Sequence, residues 1–171
     1  MPSIADCHKN FETLCEAARL LENEVGAGKF KVVLTVAADD NGYSRWLHEQ
    51  WSGVQSIDFA GYMDKKRLYE NYSAADCLVF PSRVETWGLP ISEFAATGKP
   101  MLLADLPYAH ETAAGSRQTV FFDACNAAEL KNIMRRLIDG DKSMLAPVPK
   151  VALEHPVANT WQELFDILLE K

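Results

Sequence analysis

Hydrophobic and polar positions follow two rhythms along this chain. Apolar residues at Phe11, Leu14, Cys15, Ala18 and Leu21 recur every three or four positions, which predicts a helix over 10–23 with one buried face, ending near Gly26 and Gly28. Residues 30–37, FKVVLTVA, form a near-continuous β-branched run, which predicts a strand covered on both sides and closed by the acidic turn Asp39, Asp40, Asn41, Gly42. A short helix carrying Trp46, Leu47 and Trp51 follows, then a strand over 57–61 and a helix marked by Leu68, Tyr69, Tyr72 and Ala75. A strand over 77–80 stops at Pro81 and Ser82. Beyond it the pattern predicts a helix over 90–97, a strand over 100–104, a short helix near His110 and a strand over 119–122. A helix with Leu130, Ile133, Met134, Leu137 and Ile138 completes the alternation.

Strand and helix in alternation, with short connections, predict an α/β fold: a doubly wound, Rossmann-like parallel sheet with helices on both faces. Residues 1–146 form this domain. Residues 147–171 follow as a Pro-rich linker or extended arm, Pro147 to Pro156, and a last helix with Trp161, Leu164, Phe165, Leu168 and Leu169, opened by a capping box of Thr160 and Glu163 and packing on the same domain. Trp161 is expected as a core anchor, and an exposed apolar face on this helix would mark a missing half of the molecule. A doubly wound domain opens on a strand, yet residues 1–9 offer at most Pro2 to Ala5 as the end of one. The first strand is therefore expected to be truncated.

Composition narrows the function classes. The 171 residues suit one core, and 17 basic against 24 acidic residues give a net charge of −7, so there is no basic field for a nucleic-acid backbone. Cys7, Cys15, Cys77 and Cys125 form no CxxC pair and mostly lie in apolar patterns, as reduced structural thiols do. Neither these cysteines nor His48, His110 and His155 show metal-ligand spacing, so no metal is expected. With no long apolar run and no signal-peptide pattern, the expectation is a cytoplasmic protein, with any membrane contact peripheral and made by the full-length protein.

The candidate chemistry lies in PSRVETWGLPISEFAATGKP, residues 81–100. In a doubly wound sheet, ligands bind beyond the carboxyl ends of the strands, where this stretch begins. Gly88 lets backbone approach a ligand closely, and Pro90 suits the first turn of a helix whose leading amides lack intrahelical partners. Such amides bind phosphate. Glu93, about one turn into the helix, suits a ribose diol, and Glu85 suits sugar hydroxyls beyond the phosphates. On physical grounds alone a second reading stands beside this one: Glu93 complements the helix dipole and Glu85 is solvated.

This stretch resembles the Glu, seven residues, Glu signature in the C-terminal donor-binding domain of GT-B retaining glycosyltransferases of the group 1 type, family 4. HKNFETLCEAARLL, GYMDKKRLYENYSAADCLVFPS, DLPYAHE and TWQELFDILLE resemble the family's first helix, the approach to the motif, the stretch after it and the closing helix. The resemblance implies that Glu93 holds the nucleotide ribose and Glu85 contacts the donor sugar. It implies further that Thr86, Trp87, Gly88 and Leu89 offer amides to the phosphates and sugar, and that Lys9 reaches the diphosphate. Tyr62 and Met63 fall in the loop that lies against the base. Lys9 also reads as a solvated helix-start lysine, and Arg83 reads equally as a third charge near the phosphates or as an exposed side chain. Two departures from the family stand out. No arginine precedes Arg19, which weakens phosphate neutralisation, and Trp87 stands where many relatives carry Phe.

By this resemblance the donor is a nucleotide-diphosphate sugar, attacked by an acceptor hydroxyl with retention, the leaving diphosphate taking the proton and no metal being required. Catalysis then reduces to positioning and charge stabilisation at the leaving phosphate, with Glu85 and Lys9 as the catalytic pair. The acceptor site belongs to an N-terminal domain, so this half is expected to bind donor without transferring sugar alone. The alternative is a degenerate nucleotide-binding or interaction domain. A glycoside hydrolase is disfavoured because both acids lie on one loop and helix rather than across a cleft. Truncation of the first strand predicts a melting temperature below that of a chain extended upstream, and equal melting temperatures would contradict it.

Overall fold

In the computed structural model, residues 6–150, 157, 158 and 160–169 are described. The chain opens with a 3-10 turn, Cys7–Lys9, followed by α1 (Phe11–Val25), β1 (Val32–Leu34), α2 (Gly42–Trp51), β2 (Ile57–Phe59) and α3 (Lys65–Ala74). Then come β3 (Leu78–Phe80), α4 (Leu89–Ala95), β4 (Met101–Ala104), α5 (Pro107–Thr112), β5 (Thr119–Phe122), α6 (Ala127–Ile138) and α7 (Trp161–Leu169). Every strand ladder is parallel, in the orders β1-β2 and β3-β4-β5, with registers such as Val32 opposite Ile57 and Leu102 opposite Val120. Among the described residues these two pieces share no backbone ladder. The opening-strand stub expected at Pro2 to Ala5 lies outside them.

Two apolar cores show why the fold is doubly wound. On one face Leu14, Ala18 and Leu21 of α1 pack with Val32 and Leu34 of β1, Leu102 of β4, Phe122 of β5 and Leu130 and Met134 of α6. This core spans both pieces of the sheet. On the other face Met101 and Leu103 of β4 meet Tyr72 of α3, Ile91 and Phe94 of α4 and Ala109 of α5. Successive residues of β4 thus point to opposite cores, as the period of two requires. Helix ends are closed locally. Asn41 and Ser44 form a capping box on α2, and Lys99 Nζ donates to the carbonyls of Tyr72, Ser73 and Ala75 at 3.3, 2.5 and 2.7 Å, closing the C-terminus of α3.

Several expectations need correction. The run 30–37 yields only a three-residue strand, and Val33 is 42% exposed, so β1 is buried on one face and open on the other. The near-continuous apolar run does not by itself prove two-sided burial. Trp161 is 78% exposed and α7 has no buried residue, which overturns its reading as a core anchor; Phe165, Leu168 and Leu169 are exposed beside it. An amphipathic period shows that one helix face is apolar but not what covers it. The start of the arm expected after residue 146 is tied down. Ala146 bridges Thr119 in antiparallel fashion, Val148 N–H donates to Ser116 O and Gly115 N–H donates to Val148 O, so residues 146–148 run against the turn that leads into β5. The rest of that arm, 151–156, lies outside the described residues.

The thiols separate into two kinds. Cys15 is buried and Cys77 half-buried, and burial raises them to about 12 and about 11, which keeps them protonated and inert at neutral pH. Cys7 and Cys125 are exposed, against the apolar placement expected for most of the four. No helix among the described residues is long and apolar enough to cross a membrane.

Candidate functional site

The carboxyl ends of the strands are drawn together by one buried polar residue. Asn10 sits at the junction of the 3-10 turn and α1 in the left-handed region, φ 56° and ψ 39°, a conformation that its short polar side chain tolerates. It is fully buried. Its Nδ2 donates to the carbonyl of Pro81, just after β3, at 2.9 Å and to that of Ala124, just after β5, at 2.8 Å. Its Oδ1 accepts from Thr13 Oγ1 at 2.8 Å, and the same hydroxyl also reaches Ala124 O. Three chain segments distant in sequence therefore meet on one amide group.

That junction sets Lys9 against the loop that follows β3. Lys9 Nζ lies 2.6 Å from Glu85 Oε1, with the two side chains only 18% and 11% exposed, so the lysine is engaged rather than solvated. The backbone runs in step with them. Arg83 N–H donates to the carbonyl of His8 at 2.7 Å, and Ser82 Oγ donates to the same carbonyl at 3.2 Å. The two residues expected to form the catalytic pair are thus brought together by a stitched pair of loops.

Helix α5 backs the same bend. Tyr108 OH donates to Ser82 O at 2.6 Å, and Thr112 Oγ1 donates to Trp87 O. Gly88 has φ +79°, and a Cβ built on it would stand 3.3 Å from Ile91 Cδ1 and 3.5 Å from the Tyr108 ring. The left-handed backbone is what favours glycine there, since a Cβ would ask only a small shift of the Ile91 side chain. Among the described residues none of the amides of Thr86, Trp87, Gly88 and Leu89 has an acceptor, while Thr86, Trp87 and Leu89 are exposed. Burial first, and then the Glu85 charge, raise the Tyr108 phenol, so it stays neutral and remains a donor.

Glu93 lies on α4, half-buried, with Tyr72 OH of α3 donating to its Oε2 at 3.5 Å. Burial and that carboxylate raise the Tyr72 phenol, which keeps it protonated as well. Of the remaining expected residues, Tyr62 is exposed and Met63 is buried at 4% exposure. Arg83 is about half-exposed and pairs with Glu12 Oε1 at 3.5 Å, so its charge is drawn toward α1. Glu12 also accepts from Tyr43 OH. Arg83 further edges a cleft of about 460 Å³ at the ends of β4 and β5, with Asp105, Asp123, Cys125 and Glu129 on its walls. Other expected site residues do not line that cleft. No cluster of His, Cys, Asp or Glu among the described residues has the geometry to hold a metal.

Asn10, Tyr72, Tyr108 and Thr112 act at this site as positioning groups that sequence reasoning passed over. Tyr72 carries the only such signal in the chain's pattern, as an aromatic on the apolar face of α3. Nothing in local spacing announces that Asn10 will join β3 to β5, because both acceptors are backbone carbonyls.

A parallel sheet covered by helices on both faces, with Lys9 and Glu85 paired beside a glycine bend that follows β3, defines a Rossmann-like α/β domain. Residues 3–140 match the family described as Glycosyl transferases group 1, and the chain belongs to that family. A D-inositol 3-phosphate glycosyltransferase 1 of Catenulispora acidiphila is 33% identical over 102 residues, which span 60% of this chain and 24% of that protein. Among solved structures, a sucrose-phosphate synthase of Thermosynechococcus elongatus superposes with a TM-score of 0.63 at 25% identity, covering 81% of this chain and 36% of that one. TarM superposes with a TM-score of 0.64 at 17% identity over 81% of this chain and 27% of its own, a likeness of fold alone. The chain therefore spans between about a quarter and about a third of these proteins, and its doubly wound fold is that of the GT-B glycosyltransferases.

Replacing Asn10 by Ala takes the donor from Pro81 O and one of two donors from Ala124 O, leaves Thr13 Oγ1 without the Asn10 oxygen, and places a residue with no local polar bond in the left-handed region. The expected loss is about 2–4 kcal/mol of stability, read by urea denaturation. An unchanged midpoint would show that the junction does not hold the site together.

Proposed function

We propose that this chain is the donor-binding half of a retaining glycosyltransferase that moves a sugar from a nucleotide-diphosphate sugar to an acceptor hydroxyl. The observation that carries the reading is the pairing of Lys9 with Glu85 beside the amides of Thr86–Leu89, which have no acceptor among the described residues, with Glu93 on the helix that follows. Glu93 grips the ribose diol, Glu85 orients the donor sugar, and Lys9 with the bend amides stabilises charge on the leaving diphosphate. Arg83 is a third positive group within reach of the loop. Tyr62, exposed beside buried Met63, offers a ring to the base. Positioning and charge stabilisation supply the catalysis, and the leaving phosphate oxygen accepts the acceptor's proton, so no metal is needed.

In this reading Lys9 leaves Glu85 when donor arrives. The ammonium exchanges one carboxylate for the diphosphate, and Glu85 is freed to accept from sugar hydroxyls. The exposed apolar face of α7, with Trp161, Phe165 and Leu168, supports an arrangement in which a second domain supplies the acceptor site. The full-length protein is then cytoplasmic, with membrane contact only at its surface.

A second reading draws on the same ion pair. Lys9 is already neutralised at 2.6 Å, and no arginine precedes it to share the phosphate charge, which favours a degenerate domain that no longer binds donor. Calorimetric titration with UDP, GDP and their sugar conjugates separates the two. The donor-binding reading predicts heat with one nucleotide family and a loss of about 10- to 100-fold in affinity for Glu93→Gln, the worth of a hydrogen bond to a charged group. No heat with any of them would favour the second reading, and sugar transfer by residues 1–171 alone would refute the half-site.

A further inference from the structure

We propose that α5 aims the phosphate-binding bend, with Tyr108 and Thr112 as positioning residues that set the chain's preference for a diphosphate; the inference rests on the donor-site reading above. A trans peptide holds its C=O and the following N–H in opposite directions. Thr112 Oγ1 draws Trp87 O toward α5. The amide in that same peptide plane, Gly88 N–H, must then face away from α5, and it has no acceptor among the described residues. Thr112 is buried at 8% exposure, so its hydroxyl has a fixed place from which to hold that plane.

Tyr108 does the same one step earlier. Its hydroxyl draws Ser82 O at 2.6 Å, and the amide of that plane, Arg83 N–H, faces the other way and meets His8 O at 2.7 Å. That bond moors the bend to the turn that carries Lys9. The Tyr108 ring, edge-on to Phe80 with centroids 6.4 Å apart, also packs close behind Gly88. One six-residue helix therefore orients both ends of the bend. Because both of its donors are neutral hydroxyls and both acceptors are backbone carbonyls, the bend is shaped without adding charge to the anion site.

Glu93, which the donor-site reading assigns to the ribose, lies on α4 outside these two peptide planes, so the device acts on the phosphates and leaves the nucleoside end alone. The test is calorimetry on the 171-residue chain with UDP and UMP, and with GDP and GMP. For the nucleotide that binds, the wild-type chain favours the diphosphate. Thr112→Val and Tyr108→Phe are expected to weaken the diphosphate about tenfold while changing the monophosphate by less than about twofold, and Thr112→Ser, which keeps the hydroxyl, restores the wild-type ratio. Melting temperatures measured alongside show that each variant is folded. A wild-type ratio in Thr112→Val and Tyr108→Phe, or equal losses for both nucleotides, overturns the role of α5 while leaving the donor site standing. Absence of any diphosphate preference in the wild-type chain overturns the donor-site reading and this inference with it.

Discussion

Everything at the carboxyl edge of this sheet depends on a single buried amide. Asn10 donates to the backbone after β3 and after β5 and anchors the first turn of α1 through Thr13. Buried polar groups are tolerated only when satisfied, and a satisfied one fixes a geometry that apolar packing alone leaves loose. The packing of α1 over both parallel pieces brings Asn10 to this place, and Asn10 in turn fixes where Lys9 stands. Core and site are thus coupled through one residue that contacts no ligand in the proposed mechanism.

The Lys9–Glu85 pair is the electrostatic counterpart of that junction. Two largely buried opposite charges at 2.6 Å hold each other at the expense of their hydration, so the pair stabilises the resting loop less than its short distance implies. The same balance makes exchange for a diphosphate feasible. A dianionic group offers the lysine more charge than one carboxylate does, and the bend amides add donors that have no acceptor in the resting chain. In the proposed mechanism α5 holds the bend in that shape beforehand, which would lower the ordering cost of binding.

Periodicity made most of the architecture legible. The βα alternation, the amphipathic α1 and α6 and the strand Thr119–Phe122 follow directly from side-chain spacing, because burial on a helix stripe or a strand face imposes it. The motif with Glu85, Gly88 and Glu93 was legible too, since a glycine bend and a proline-led helix start are local features. What escaped was set by tertiary context. The exposure of Val33 and Trp161 depends on what covers each apolar face, and the roles of Asn10, Tyr108 and Thr112 depend on backbone carbonyls supplied by distant segments. A side chain that bonds to backbone leaves no matching residue type for a sequence to display.

The central claim is that donor binds where the two glutamates, the open amides and Lys9 converge, and not in the cleft at the ends of β4 and β5. Amide chemical-shift mapping with the nucleotide sugar that binds tests this most directly. The account predicts shifts concentrated on Lys9, Glu85 to Leu89 and Glu93. Shifts centred instead on Asp105, Asp123, Cys125 and Glu129, with the bend unmoved, would contradict it.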